Sequence, residues 1–340
     1  MTQDMIDTLG AAPSPIDAAD INDERAGNER PVRAVGASWF GLPGGGRLPA
    51  FVSPAWESGG AHVTAALILI HGRLRNADAY YAFAEAALRA ARRSLDDTVL
   101  IVPQFLAQAD VAAHRLPADT LHWDWTGWMG GDAGLAPHPR SSFEVLDAIV
   151  ARCAQAGRFP ALSRVVLAGH SGGAQVVHRY AVVAPHRADA PRVATRFVIA
   201  NPSSYVYFDD RRPDGHGGFG PFERARCADF DRWKYGPRDA PAYVGETSFD
   251  VLEARYVRRD VVYLWGENDC DPRHPALDVS CAAQAQGPQR LARGQAYFRY
   301  LQARHGAALA HRGLVVPGVG HDGAAMLSSP EGVAALFGAP

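Results

Sequence analysis

Residues 164–173 read Arg-Val-Val-Leu-Ala-Gly-His-Ser-Gly-Gly, an apolar run that drives straight into Gly169-His170-Ser171-Gly172-Gly173. No other stretch constrains the fold as much. The β-branched residues before the serine predict a buried strand, and residues 174–180 after it predict a helix, so the chain has to reverse in one sharp turn. Such a turn holds its serine in a strained backbone conformation and needs small residues where strand and helix approach. A lone Gly-x-Ser-x-Gly arises often by chance, so its weight depends on the remainder of the chain.

The remainder alternates. Residues 65–70 are a continuous apolar run ending at His71-Gly72, and residues 98–102, 165–168, 196–200, 260–265 and 313–316 also read as strands. Helical spacing lies between them at 78–93, 289–304 and 323–337, and a further helix opens at Ser141 with a capping box closed by Glu144. Ahead of these, 32–40 and 48–53 read as a hairpin through Gly44-Gly45-Gly46. Strands alternating with helices predict an α/β fold, a mostly parallel, doubly wound sheet with helices on both faces. At 340 residues and 47% hydrophobic, the chain can bury a large core. One domain over 31–340 is expected, with the Asp-, Ala- and Pro-rich residues 1–30 as a mobile tail. Two long connections, 104–140 and 203–255, interrupt the rhythm and read as lids or binding loops.

A net charge of −2, with scattered Lys and Arg, gives no basic footprint for nucleic acid. No apolar run is long enough to span a bilayer, and residues 1–30 lack the basic-then-apolar pattern of a secretory signal, so a cytoplasmic location is expected. Among the four cysteines, Cys153 sits in a helical pattern as a small core residue. Cys270 and Cys281 bracket a loop and could bridge in an oxidising compartment, and the reduced pair is the working expectation. No metal site is expected: there is no His-Glu-x-x-His or Cys-x-x-Cys, and His114, His122 and His138 lack ligand spacing.

Three further points fall just past the ends of predicted strands, where open α/β sheets place their ligands. After residues 260–265 comes Gly-Glu-Asn-Asp-Cys-Asp, offering Asp269 and Asp271 as an acid to orient a histidine, with Asp269 preferred. After 314–316 comes Pro-Gly-Val-Gly-His-Asp-Gly, in which flanking glycines let the His321 ring reach back to Ser171. The order Ser171, Asp269, His321 suits a nucleophile, its acid and its base. An oxyanion formed at Ser171 needs two N–H donors. The backbone N–H of Gly172 supplies one and, in this reading, that of Arg73 in the turn after His71-Gly72 the other, while the Arg73 and Arg75 side chains can brace that loop through salt bridges. Trp123, Trp125 and Tyr205 are expected to border the substrate from the two long connections.

With His71-Gly72, the Ser171 turn, Gly266-x-x-Asp269 and Gly320-His321 matching in order, the chain from about Val32 onward resembles the α/β-hydrolase superfamily. The resemblance implies a cofactor-free serine hydrolase, with the 203–255 insertion where many members carry a cap. A carboxylic-ester hydrolase acting on a small-molecule ester is the expected function. An acyltransferase or thioesterase with the same residues, or a catalytically silent binding protein, are the alternatives. No Gly-Gly-Gly run follows His71, unlike the lipases whose oxyanion loop carries one.

Overall fold

The computed structural model describes residues 30–185 and 193–338, so the expected tail lies, apart from Arg30, outside the described residues. Eight strands, β1 (Ser38–Gly41), β2 (Arg47–Val52), β3 (Ala65–Ile70), β4 (Thr98–Pro103), β5 (Arg164–His170), β6 (Ala194–Ala200), β7 (Asp260–Gly266) and β8 (Arg312–Val316), form one sheet. Their order is β1-β2-β4-β3-β5-β6-β7-β8. The β2 strand runs antiparallel to β1 and β4, whereas the pairs from β4 to β8 are parallel. The first strand begins at Ser38 rather than at residue 32 because the preceding backbone spends its donors on side chains. Val32 N–H bonds the Asp110 carboxylate at 2.8 Å and Gly36 N–H bonds Gln104 Oε1 at 3.0 Å.

Alternate residues of the central strands face opposite cores, the period of two that a pleated strand imposes. On one face Ile68, Leu167, Ile199 and Tyr263 pack against α2 (Ser142–Cys153), α3 (Gly172–Val183), α4 (Phe249–Tyr256) and α5 (Arg290–His305). On the other, Leu67, Val166, Val198 and Leu264 pack against α1 (Ala77–Ala90), α6 (Gly323–Ser328) and α7 (Pro330–Phe337). The sheet is doubly wound, as expected. The Ser141 capping box is formed: Phe143 N–H bonds Ser141 Oγ at 3.1 Å, and Ser141 N–H bonds Glu144 at 2.7 Å. The last helix of the sequence reading is two helices, because Ser329 caps a new one whose first residue is Pro330.

The two long connections have different fates. Residues 104–140 fold inward: Phe105 and Trp128 stack with centroids 5.4 Å apart, and Trp123 packs edge-on to Phe105. The stretch 203–255 carries an antiparallel ribbon, Arg211–Pro213 with Phe219–Pro221, before reaching α4. Cys227 and Phe230 from it share a small core with Ala282. There the cysteine expectation needs correcting. Cys281 is disulfide-bonded to Cys227, 54 residues away, while Cys270 is free and exposed. The partner lies outside the loop that Cys270 and Cys281 bracket, because the insertion folds back over the segment preceding Cys281. Cys153 is a buried core residue, as expected.

Candidate active site

The turn between β5 and α3 has the predicted strain. Ser171 has φ of 57° and ψ of −119°, a region that L residues with a side chain avoid. Its N–H still extends the sheet by bonding the Ala200 carbonyl at 3.0 Å. The glycines around it are sterically required. A Cβ on Gly173 would stand 2.1 Å from the Ile70 carbonyl oxygen, and one on Gly169 would stand 2.4 Å from Gly173.

Two loops from distant strands meet this serine. Ser171 Oγ donates to His321 Nε2 at 2.9 Å, and His321 Nδ1–H donates to Asp269 Oδ2 at 2.8 Å. Of the two candidate acids the structure brings Asp269 to the histidine, whereas Asp271 is exposed and accepts from Arg273 N–H. The acid turn and the histidine loop are bonded together: Asn268 N–H reaches the Val319 carbonyl at 2.8 Å, and Gly318 N–H reaches Glu267 at 2.8 Å. Beyond His321, Asp322 caps α6 by accepting from Ala324 and Ala325 N–H, which anchors the loop on its far side.

Burial, and next the nearby Arg290 cation, hold His321 down to about 4, against the opposing pull of its bond to Asp269. The Asp269 carboxyl is lowered to about 2. Burial works against its charge, but the His321 hydrogen bond, the His321 charge and Arg290 together outweigh it. At neutral pH the arrangement is therefore a neutral imidazole between a hydroxyl and an ionised carboxylate. It can accept the hydroxyl proton and stabilise the imidazolium that results.

The turn after β3 is fixed by His71. Phe105 N–H donates to His71 Nε2 at 2.9 Å, which leaves the proton on Nδ1, bonded to the Gly72 carbonyl at 2.9 Å. Burial lowers this imidazole to about 4, keeping it neutral. The Arg73 backbone nitrogen consequently lies 2.9 Å from where a Gly172 Cβ would stand. Both predicted oxyanion-hole residues border the same space beside Ser171, and the N–H of Gly172 opens α3, where backbone donors have no intrahelical partner. The neighbouring Arg75 is structural. It forms a buried ion pair with Asp110 at 2.7 Å, and Trp125 lies over its guanidinium at 5.2 Å.

A cleft of about 510 Å³ opens over Ser171, bordered by Arg73, Met129, Gln175, Lys234, Tyr235 and the segment 275–280. The aromatic wall expected from the sequence is not there. Trp123 is fully buried, donating Nε1–H to the Asp132 carbonyl, because residues 104–140 serve as core. Tyr205 is also fully buried, accepting from Trp265 Nε1–H at 3.0 Å. Trp125 is spent on Arg75. None of the three borders the cleft, whose lining mixes polar, charged and aliphatic groups with a single aromatic ring, Tyr235.

Three supporting residues escaped the sequence reading. Arg290 is 1% exposed and donates to Asp269 Oδ1 at 3.2 Å and to Ser203 Oγ at 3.1 Å, engaging the carboxylate oxygen that His321 leaves. Asn201, at the end of β6 with φ of 51°, accepts from Gly266 N–H at 2.8 Å and donates to the Gly320 carbonyl at 3.2 Å, tying the acid turn to the histidine loop. His170 packs its ring 4.7 Å from that of His321 and bonds Tyr80. Only His170 carried a local signal, its place beside Ser171. Among the described residues no group of three or more His, Cys, Asp or Glu could hold a metal.

No protein-family model and no curated relative matches the sequence. Solved structures do match. A poly(aspartic acid) hydrolase-1 from Sphingomonas sp. KT-1 is 25% identical over 87% of this chain and 96% of its own, with a TM-score of 0.59. A poly(3-hydroxybutyrate) depolymerase from Bordetella parapertussis is 24% identical over 82% and 80%, with a TM-score of 0.55. With this strand order and these neighbours, the chain belongs to the α/β-hydrolase superfamily.

Proposed function

We propose that the protein is a serine hydrolase that cleaves carboxylic esters through an acyl-enzyme. The observation that carries this reading is the continuous hydrogen-bonded line from Ser171 through His321 to Asp269, at a serine held in the left-handed region. His321 takes the Ser171 proton as Oγ attacks the carbonyl carbon, and Asp269 holds the imidazole in the Nδ1–H tautomer. The Gly172 and Arg73 N–H groups stabilise the tetrahedral oxyanion. His321 then protonates the departing alcohol as its bond to the carbonyl carbon breaks. Water, deprotonated by His321, attacks the acyl-enzyme, and release of the acid returns the proton to Ser171. The insertion 203–255 acts as a cap, contributing Lys234 and Tyr235 to the cleft wall.

The similarity to a poly(aspartic acid) hydrolase favours a second reading, cleavage of an amide in an acidic chain by the same residues. Among the described residues no helix is long and apolar enough to cross a membrane. The Cys227–Cys281 bridge supports work in an oxidising compartment over the cytoplasmic location first expected. Replacing Ser171 by Ala tests the proposal: hydrolysis of p-nitrophenyl esters should fall by at least about ten thousand-fold in a protein that still folds. Ester turnover near the wild-type rate by pure Ser171→Ala protein would end it.

A further inference from the structure

We propose that Lys234 selects substrates bearing a carboxylate, so that the esters this cleft favours are anionic rather than neutral; this rests on the serine-hydrolase reading above. Lys234 borders the cleft that contains Ser171, on the insertion's side of it. Its backbone is held at φ of +111°, a region a side-chain-bearing residue occupies only when its surroundings impose it. Those surroundings are close. Trp233 Nε1–H bonds the Gly130 carbonyl at 2.6 Å on one side, and a Cβ on Gly130 would stand 2.8 Å from Lys234 Cε.

The ammonium is thus placed with little latitude, yet it is poorly served. Among the described residues its one hydrogen-bond partner is the Thr126 carbonyl, at a long 3.5 Å. An ammonium has three donors, and a mostly buried one lacking partners is costly. Burial, and next Arg179, hold the ammonium below the ordinary lysine value, while Asp132, Asp124 and Asp278 favour its charge from a distance. The Asp278 carboxylate, the acid in the cleft wall, is already engaged by the Tyr235 hydroxyl at 2.6 Å. Arg73 brings a second cation to the cleft, close enough to His274 to disfavour its protonation. A substrate carboxylate entering here gains a charge-assisted bond with an ammonium whose position is already fixed. Lys234 would then bind substrate, without touching the reacting atoms.

The test compares kcat/KM for matched pairs: the mono-p-nitrophenyl esters of adipate and suberate against p-nitrophenyl hexanoate and octanoate. The wild-type protein should prefer the anionic member of at least one pair by about ten-fold or more, the scale of a hydrogen bond to a charged group, and the preference should shrink at high salt. Lys234→Met should bring the ratio close to one, and Lys234→Arg should keep most of it. Because each ratio is internal to one protein sample, partial loss of folded protein does not disturb it. Equal rates on both members of both pairs, or a preference that survives in Lys234→Met, would overturn the assignment. So would labelling of Ser171 by a fluorophosphonate without turnover of any of the four esters. Absence of both labelling and turnover would instead remove the serine-hydrolase reading, and this one with it.

Discussion

At the scale of single residues, the site depends on groups that never touch Ser171. Arg290 is the clearest. Its cation disfavours protonation of His321, so removing it should raise the imidazole from about 4 toward its ordinary value. In the proposed mechanism the base must be neutral to act, so activity is expected above the His321 value and should be lost as pH falls through it. Wild-type kcat/KM should accordingly hold into acid and fall near pH 4, while Arg290→Met should lose activity at higher pH and Arg290→Lys should sit between. A pH–rate profile that is unmoved in Arg290→Met would show that the arginine only fills space. Breaking a buried pair also costs about 3 kcal/mol, which a denaturant titration would read separately. Asn201 allows a second test. Asn201→Gly keeps the positive φ accessible but removes the bonds to Gly266 and Gly320. It should cost about 2 kcal/mol of stability and lower kcat more than it raises KM, whereas an unchanged kcat would mean that the two loops hold their own positions.

At the scale of elements, the elbow was legible because its requirements are local. The small residues, the apolar strand before them and the helix after them all lie within twenty residues or so of chain. Gly173→Ala should destabilise the fold by several kcal/mol, since the new Cβ would overlap backbone oxygens of Ile70 and His71 that cannot retreat without opening the sheet. A melting temperature within a degree of wild type would contradict that. The break at Ser329-Pro330 was missed, although a serine followed by proline is a common helix start. Other features depend on pairing across the fold. Arg290 is an ordinary helix-start arginine until α5 is laid beside β7. Trp123 looks like a loop ring until residues 104–140 pack against the sheet. Cysteine connectivity is decided by which loops meet, and spacing alone does not reveal it. The Cys227–Cys281 bridge joins the insertion to the end of the 275–280 wall. Cys227→Ser should therefore lower stability by about 2–4 kcal/mol and raise KM more than it lowers kcat. Unchanged KM would mean that the wall is held without the insertion.

At the scale of the whole molecule, the parallel sheet determines where chemistry can occur. The ends of β3, β5, β6, β7 and β8 deliver His71, Ser171, Asn201, Asp269 and His321 to one edge, and the side-chain bonds there link loops up to 150 residues apart in sequence. The order of the parts along the chain was readable, whereas the cleft was not, because its walls come from both long connections and from residues 275–280. The whole proposal rests on Ser171 as the nucleophile and His321 as its base. Treating the folded protein with a fluorophosphonate and mapping the adduct by mass spectrometry tests it most directly. One phosphonyl group per chain is expected, on the peptide containing Ser171, with activity lost in step and labelling slowed strongly in His321→Ala. An adduct on a different residue that tracks the loss of activity, or full inhibition with Ser171 unmodified, would contradict it.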